Sequence, residues 1–251
     1  MDGRDERASP ATKDDAPRAT PRPLTRREAA FDIALAVLLI PASAIVAGVI
    51  ASGLGSRQPN LAAVVLLQAL LSLAGLAALV AWRGQTFAAI GLAPLVRQDF
   101  ARALVVVVTA FAANALLTIA IYALAPHVLE QHIDALQAIA GGLTDDTPLA
   151  LALALLLLVG FYEELVARGL VLARSRALLG GFWLPVLFSS ALFGLGHFYQ
   201  GTYGIVQTAL LGVVLAAYTI RWGTLWPAII AHAGINMLSV LQLENIAVMP
   251  R

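Results

Sequence analysis

Seven apolar stretches follow one another along the chain, at 33–54, 61–82, 103–125, 149–172, 182–199, 203–220 and 225–243. A helix needs about 20 residues to cross the roughly 30 Å hydrocarbon core of a bilayer. Inside that core only helices and closed barrels satisfy their own backbone hydrogen bonds. The expected fold class is therefore all-α, a polytopic transmembrane helix bundle of about seven to eight spans. The eighth candidate is 127–146, where Val128, Ile133, Leu136 and Ile139 share one face of an interfacial helix.

Charge supports the same reading. The 251-residue chain is 60% apolar and 12% charged, about half the charged share of a soluble domain. Seven of its 16 Lys and Arg precede residue 28, and seven of its 15 acids precede residue 33. Residues 1–27, with Pro10, Pro17, Pro21 and Pro23, read as a disordered cytoplasmic tail, too poor in apolar surface to offset the entropy of ordering. Residues 28–147 hold the first three spans and the interfacial helix; residues 148–243 hold the chemistry. A net charge of +1 gives no case for a nucleic-acid partner. The lack of cysteine excludes disulfides, thiolate nucleophiles and lipidated cysteines.

Orientation follows from where the cations fall. The tail is rich in them, the second loop has Arg83, Arg97 and Arg102, and the fourth has Arg168, Arg174 and Arg176. The first loop has Arg57 alone, the third and fifth have none, and the sixth has Arg221. Positive loops stay inside. A multi-pass protein of the cell membrane is expected, with its N-terminus cytoplasmic and its C-terminus outside.

Three clusters of polar residues interrupt the later spans: Glu163-Glu164 with Arg168, Phe193 with His197, and His232 with Asn236. An ionisable group inside a bilayer costs several kcal/mol and marks function by default. Glu164 and Arg168 are four residues apart, so they share a helix face and can pair. Glu163 lies about 100° around the helix and is left free to act on water. A plain helix-end ion network with a snorkelling Arg168 is the competing reading. His232 and Asn236 also share a face, and each histidine could serve only as an interhelical hydrogen-bond partner. Phe193, one turn before His197, is expected to pack beside the site. His127 and His132 are expected at the interfacial surface.

Taken together, E-E-x-x-x-R, F-x-x-x-H and H-x-x-x-N stand in this order, each on its own span. The pattern resembles the CPBP family, the CAAX proteases and bacteriocin-processing enzymes also called the ABI family, whose best-known relatives are the Ras-converting CAAX endopeptidases. The resemblance covers about 148–242 and implies an intramembrane endopeptidase of the glutamic type. It implies that Glu163 activates the hydrolytic water, that His197 positions that water or shares its protons, and that His232 and Asn236 stabilise the oxyanion. The partners it implies are the lipid bilayer and a membrane-associated peptide or protein substrate, as for a CAAX prenyl protease; no cofactor is expected, because an amide at Asn236 beside His232 suits an oxyanion clamp better than half a metal site. Two alternatives stand beside it: a zinc metalloendopeptidase using Glu163, His197 and His232, and a non-catalytic immunity or scaffold protein. Other intramembrane designs fit less well, since the H-E-x-x-H pair, a G-x-S-G serine and paired intramembrane aspartates are all missing.

Depth constrains how these residues can meet. If the fourth span ended at 168, Glu163 would lie about 7 Å from the cytoplasmic end and His197 about 22 Å from it. The two meet only if that span shifts toward 155–176 or the helices tilt.

Overall fold

The structure, a computed structural model, describes residues 24–53 and 60–248. The tail assigned to residues 1–27 falls mostly outside the described residues, as does Arg57. Eight helices are described: α1 (Arg26–Gly53), α2 (Leu61–Trp82), α3 (Arg97–Leu124), α4 (Pro126–Thr144), α5 (Leu149–Leu179), α6 (Trp183–Leu195), α7 (Gly201–Trp222) and α8 (Trp226–Val248). No strand occurs among the described residues. Six of the helices, all but α4 and α6, are long and apolar enough to cross a membrane.

The bundle is inside-out by the standards of a soluble protein. Large apolar side chains such as Leu38, Ile45, Val49, Leu104, Leu116 and Ile119 point outward, while Asp32, Ser72, Glu164, Arg168 and Ser175 are buried. In lipid no hydrophobic drive pulls Leu inward, so helices associate through small residues and polar contacts. Gly160 on α5 shows the first device: a side chain there would collide with the backbone of Ala233 on α8. Gly194 on α6 does the same against Ala209 and the Ile205 carbonyl of α7.

One end of the bundle gathers the arginines. Asp32 near the start of α1 accepts from Arg83, just past α2, at 2.7 and 2.9 Å, and from Arg174 of α5 at 2.9 Å. Arg174 also donates to Gln85 at 2.5 Å, and Arg26 donates to the Leu178 carbonyl. Arg102 of α3 bonds Asp99 at 3.0 Å and lies over Trp222 at the end of α7. The loop after α2 is tied to the start of α8, with Leu225 N–H donating to Gly91 O and the Trp226 indole to Ala93 O. The ends of α2, α5 and α7 and the starts of α1, α3 and α8 therefore share this arginine end.

The stretch 182–199, expected as a span, takes a different form. Its helix α6 has 13 residues and is about 20 Å long, too short to cross. It descends from the arginine end, stops, turns through Phe198–Gln200 and Gly201 at φ +79°, and hands over to α7, which returns to the arginine end. The α6–α7 pair is thus a hairpin whose turn meets α4, where His132 contacts the Gln200 carbonyl.

Helix α4 crosses the opposite end and packs Leu143 against Ala62, Ala152 and Leu155. Ile133 points outward, while His132, expected at the interfacial surface, is buried instead. The reason is local: His132 finds a hydrogen-bond acceptor on the hairpin tip, which Ile133 could not use.

Candidate active site

Depth is resolved by helix length. Helix α5 runs on to Leu179, past the stretch read from sequence. Glu163 then lies about 24 Å from the Leu179 end, and His197 about 21 Å below the start of α6. The foreshortened α6 thus brings His197 to the level of Glu163.

Just after the two glutamates, Leu165–Leu172 is wound as a π-helix within α5. Such stretches are rare and often accompany functional sites. Glu164 and Arg168 still meet, at 2.6 Å, and both are buried. Glu164 has a second partner that spacing could not show: its Oε1 also accepts from His232 Nδ1 on α8 at 2.9 Å. Arg168 completes the junction by donating to the Gly212 carbonyl of α7 at 3.3 Å and lying 4.1 Å from the centroid of the Phe193 ring. This cluster joins four helices.

Glu163 is placed differently. Its Oε1 is 3.5 Å from the Tyr162 hydroxyl. Its Oε2 is buried with no hydrogen-bond partner, and lies 3.8 Å from His232 Nε2 and 3.9 Å from His197 Nε2. The distant nitrogens are oriented. His197 Nδ1 is 2.8 Å from the Phe193 carbonyl, which can only accept. His232 Nδ1 faces the Glu164 carboxylate. Each Nδ1 therefore donates and each Nε2 is turned toward Glu163. Phe193 packs between the histidines, its ring 4.8 Å from that of His197 and 5.7 Å from that of His232.

The structure therefore gathers Glu163, Glu164, Arg168, Phe193, His197 and His232 around one point. Asn236 stands one turn beyond His232 on α8, half-buried, with no side-chain hydrogen bond among the described residues. Tyr162 and Tyr199, whose ring is 5.8 Å from that of His197, were missed from sequence. A tyrosine in an oily span is ordinarily a packing residue; Tyr162 adjoins Glu163 in the sequence, whereas only the fold brings Tyr199 to the site. A separate apolar cavity of about 380 Å³, lined by Leu73, Ala74, Ala77, Phe87, Leu92, Phe161 and Leu165, lies between α2 and α5. Phe161 and Leu165 flank Glu163 by two residues each, so the cavity is on the other side of α5.

Residues 145–238 match the family described as type II CAAX prenyl endopeptidase Rce1-like. This segment is of the CAAX-protease family. It spans α5 to α8 as far as Leu238 and contains all seven residues singled out above; α1 to α4 lie outside it. Neither a curated protein nor a solved structure matches the chain. The matched segment and the six apolar helices together support a multi-pass membrane protein.

Proposed function

We propose that the chain hydrolyses peptide bonds of a membrane-associated peptide or protein with a water activated by Glu163. The observation that carries this reading is the buried, unpartnered Oε2 of Glu163 between two inward-turned Nε2 atoms. A buried polar atom without a partner calls for one, and a water there is held for attack.

In this reading the water donates one proton's hydrogen bond to Glu163 Oε2 and the other to His197 Nε2. Glu163 takes the first proton as the oxygen attacks the scissile carbonyl carbon. His232 donates to the oxyanion from Nε2 when its ring carries both protons, with Glu164 as the counter-charge at 2.9 Å. The Asn236 amide, one turn away with its donors uncommitted, joins it. The C–N bond then breaks, and Glu163 returns the proton to the leaving amine. No acyl-enzyme forms.

Zinc is the second reading, and one observation favours it: both histidines hold their Nδ1 as metal-bound histidines do, against a carboxylate and a backbone carbonyl. The donor spacing favours water. Two ligands about 2.0–2.1 Å from a tetrahedral zinc stand about 3.4 Å apart, closer than the 3.8 and 3.9 Å seen here. Among the described residues no three such side chains form a group able to hold a metal ion. In the reading we favour, the site works without a cofactor. The arginine end faces the cytoplasm of a cell membrane, which puts the N-terminus inside.

The test is cleavage of a peptide library in H2(18)O by the purified protein. One 18O should enter each new carboxyl terminus, hydroxylamine should trap no acyl-enzyme, and activity should survive prolonged chelation. Stoichiometric zinc, with activity lost to chelator and restored by zinc, overturns the metal-free mechanism.

A further inference from the structure

His197 does not sit within a regular helix. It follows the end of α6, with φ −102° and ψ 22°, and leads into the turn Phe198–Gln200. That turn is weakly held from outside, since Phe198 and Tyr199 are exposed. Among the described residues, one side-chain hydrogen bond reaches it from another element: His132 of α4, whose Nδ1 is 3.1 Å from the Gln200 carbonyl. A carbonyl accepts, so the imidazole donates.

The contact is built on several sides. The His132 ring packs edge-on against Tyr203, with centroids 4.9 Å apart. The Tyr203 hydroxyl is 2.6 Å from Thr118 Oγ1, which fastens the start of α7 to α3. Gly204 lets the turn and the imidazole close on α7, because a Cβ there would collide with Gln200 Cβ and lie 3.2 Å from His132 Nδ1. His132 is buried, and its Nε2 has no hydrogen-bond partner. An apolar ring would fill this place without leaving a polar atom unmet, so packing alone does not account for a histidine.

We propose that His132 is a positioning residue of the active site. By donating to the Gln200 carbonyl it fixes the hairpin tip and so aims His197 Nε2 at Glu163. Helix α4, outside the CAAX-protease segment, thereby becomes part of the catalytic apparatus. The inference rests on the proposed peptidase reading for its rate effect, and on geometry alone for its effect on His197.

Two substitutions separate the hydrogen bond from the packing. His132→Phe keeps the ring and loses the donor. His132→Asn loses the ring but places an amide donor near the position of Nδ1. With a fluorogenic peptide from the library, His132→Phe should lower kcat by about 10- to 100-fold, with KM and melting temperature close to wild type. His132→Asn should recover most of the rate. In parallel, carbethoxylation of His197 by diethyl pyrocarbonate, followed by mass spectrometry, should rise several-fold in His132→Phe and stay near wild type in His132→Asn. This second readout needs no substrate, so it stands even if the peptidase reading fails. Unchanged His197 labelling in His132→Phe, or equal impairment of the Phe and Asn variants, overturns the proposal.

Discussion

Two buried clusters of opposite charges hold this bundle together, and they are satisfied to different degrees. At the arginine end both oxygens of Asp32 are engaged, Oδ1 by Arg83 and Oδ2 by Arg174, and its side chain is fully buried. At mid-height Glu163 and Glu164 each keep one oxygen, Oε2, buried and unpartnered. The first arrangement is complete and can only hold helices. The second has acceptor capacity left over, in a setting where each unmet polar group is costly. In a membrane bundle, where every internal charge is suspect, we read unspent hydrogen-bonding capacity on a carboxylate facing two histidines as the mark of a candidate site rather than of a structural staple.

The contrast can be broken or sharpened by substitution. The largest effect should come from the completed cluster. Asp32→Ala removes the carboxylate shared by two guanidinium groups, leaving Arg83 with Glu28 at 3.4 Å and Arg174 with Gln85, and should destabilise the protein by about 3 kcal/mol, read as a fall in melting temperature in detergent. A variant as stable as wild type would show that the arginine end is not a staple. Next, Asn236→Ala should lower kcat by about 10²–10³-fold, the loss seen on removing one oxyanion donor, without changing the melting temperature. Unaltered kcat would remove Asn236 from the oxyanion site. The smallest effect belongs to the ring between the histidines. Phe193→Leu removes the face over which Arg168 lies, worth about 0.5–2 kcal/mol, and should lower the melting temperature slightly.

Much of this architecture was legible because bilayer physics leaves few options. Apolar runs of sufficient length mark α1, α2, α3, α5, α7 and α8, and the four-residue spacing of Glu164 and Arg168 foretells their pairing. What escaped the sequence depended on chain reversal and long-range contact. Nothing local shows that α6 stops after 13 residues, yet that stop sets the depth of His197. Glu164 was assigned to Arg168 alone because His232 lies 68 residues away. His132 was expected at the surface because a helix of mixed polarity reads as interfacial, whereas the hairpin tip it caps is visible only in the fold. The role of Glu163 was separable from that of Glu164 by helical angle alone, but its open oxygen was not.

That open oxygen is the central claim, and paired glutamine substitutions test it most directly. Purified wild type, Glu163→Gln and Glu164→Gln should be compared on one peptide library, with melting temperatures recorded for each. The account predicts that Glu163→Gln melts like wild type and cleaves nothing, whereas Glu164→Gln melts well below it because Arg168 and His232 lose their shared carboxylate. Glu163→Gln cleaving the same bonds at the wild-type rate would contradict it.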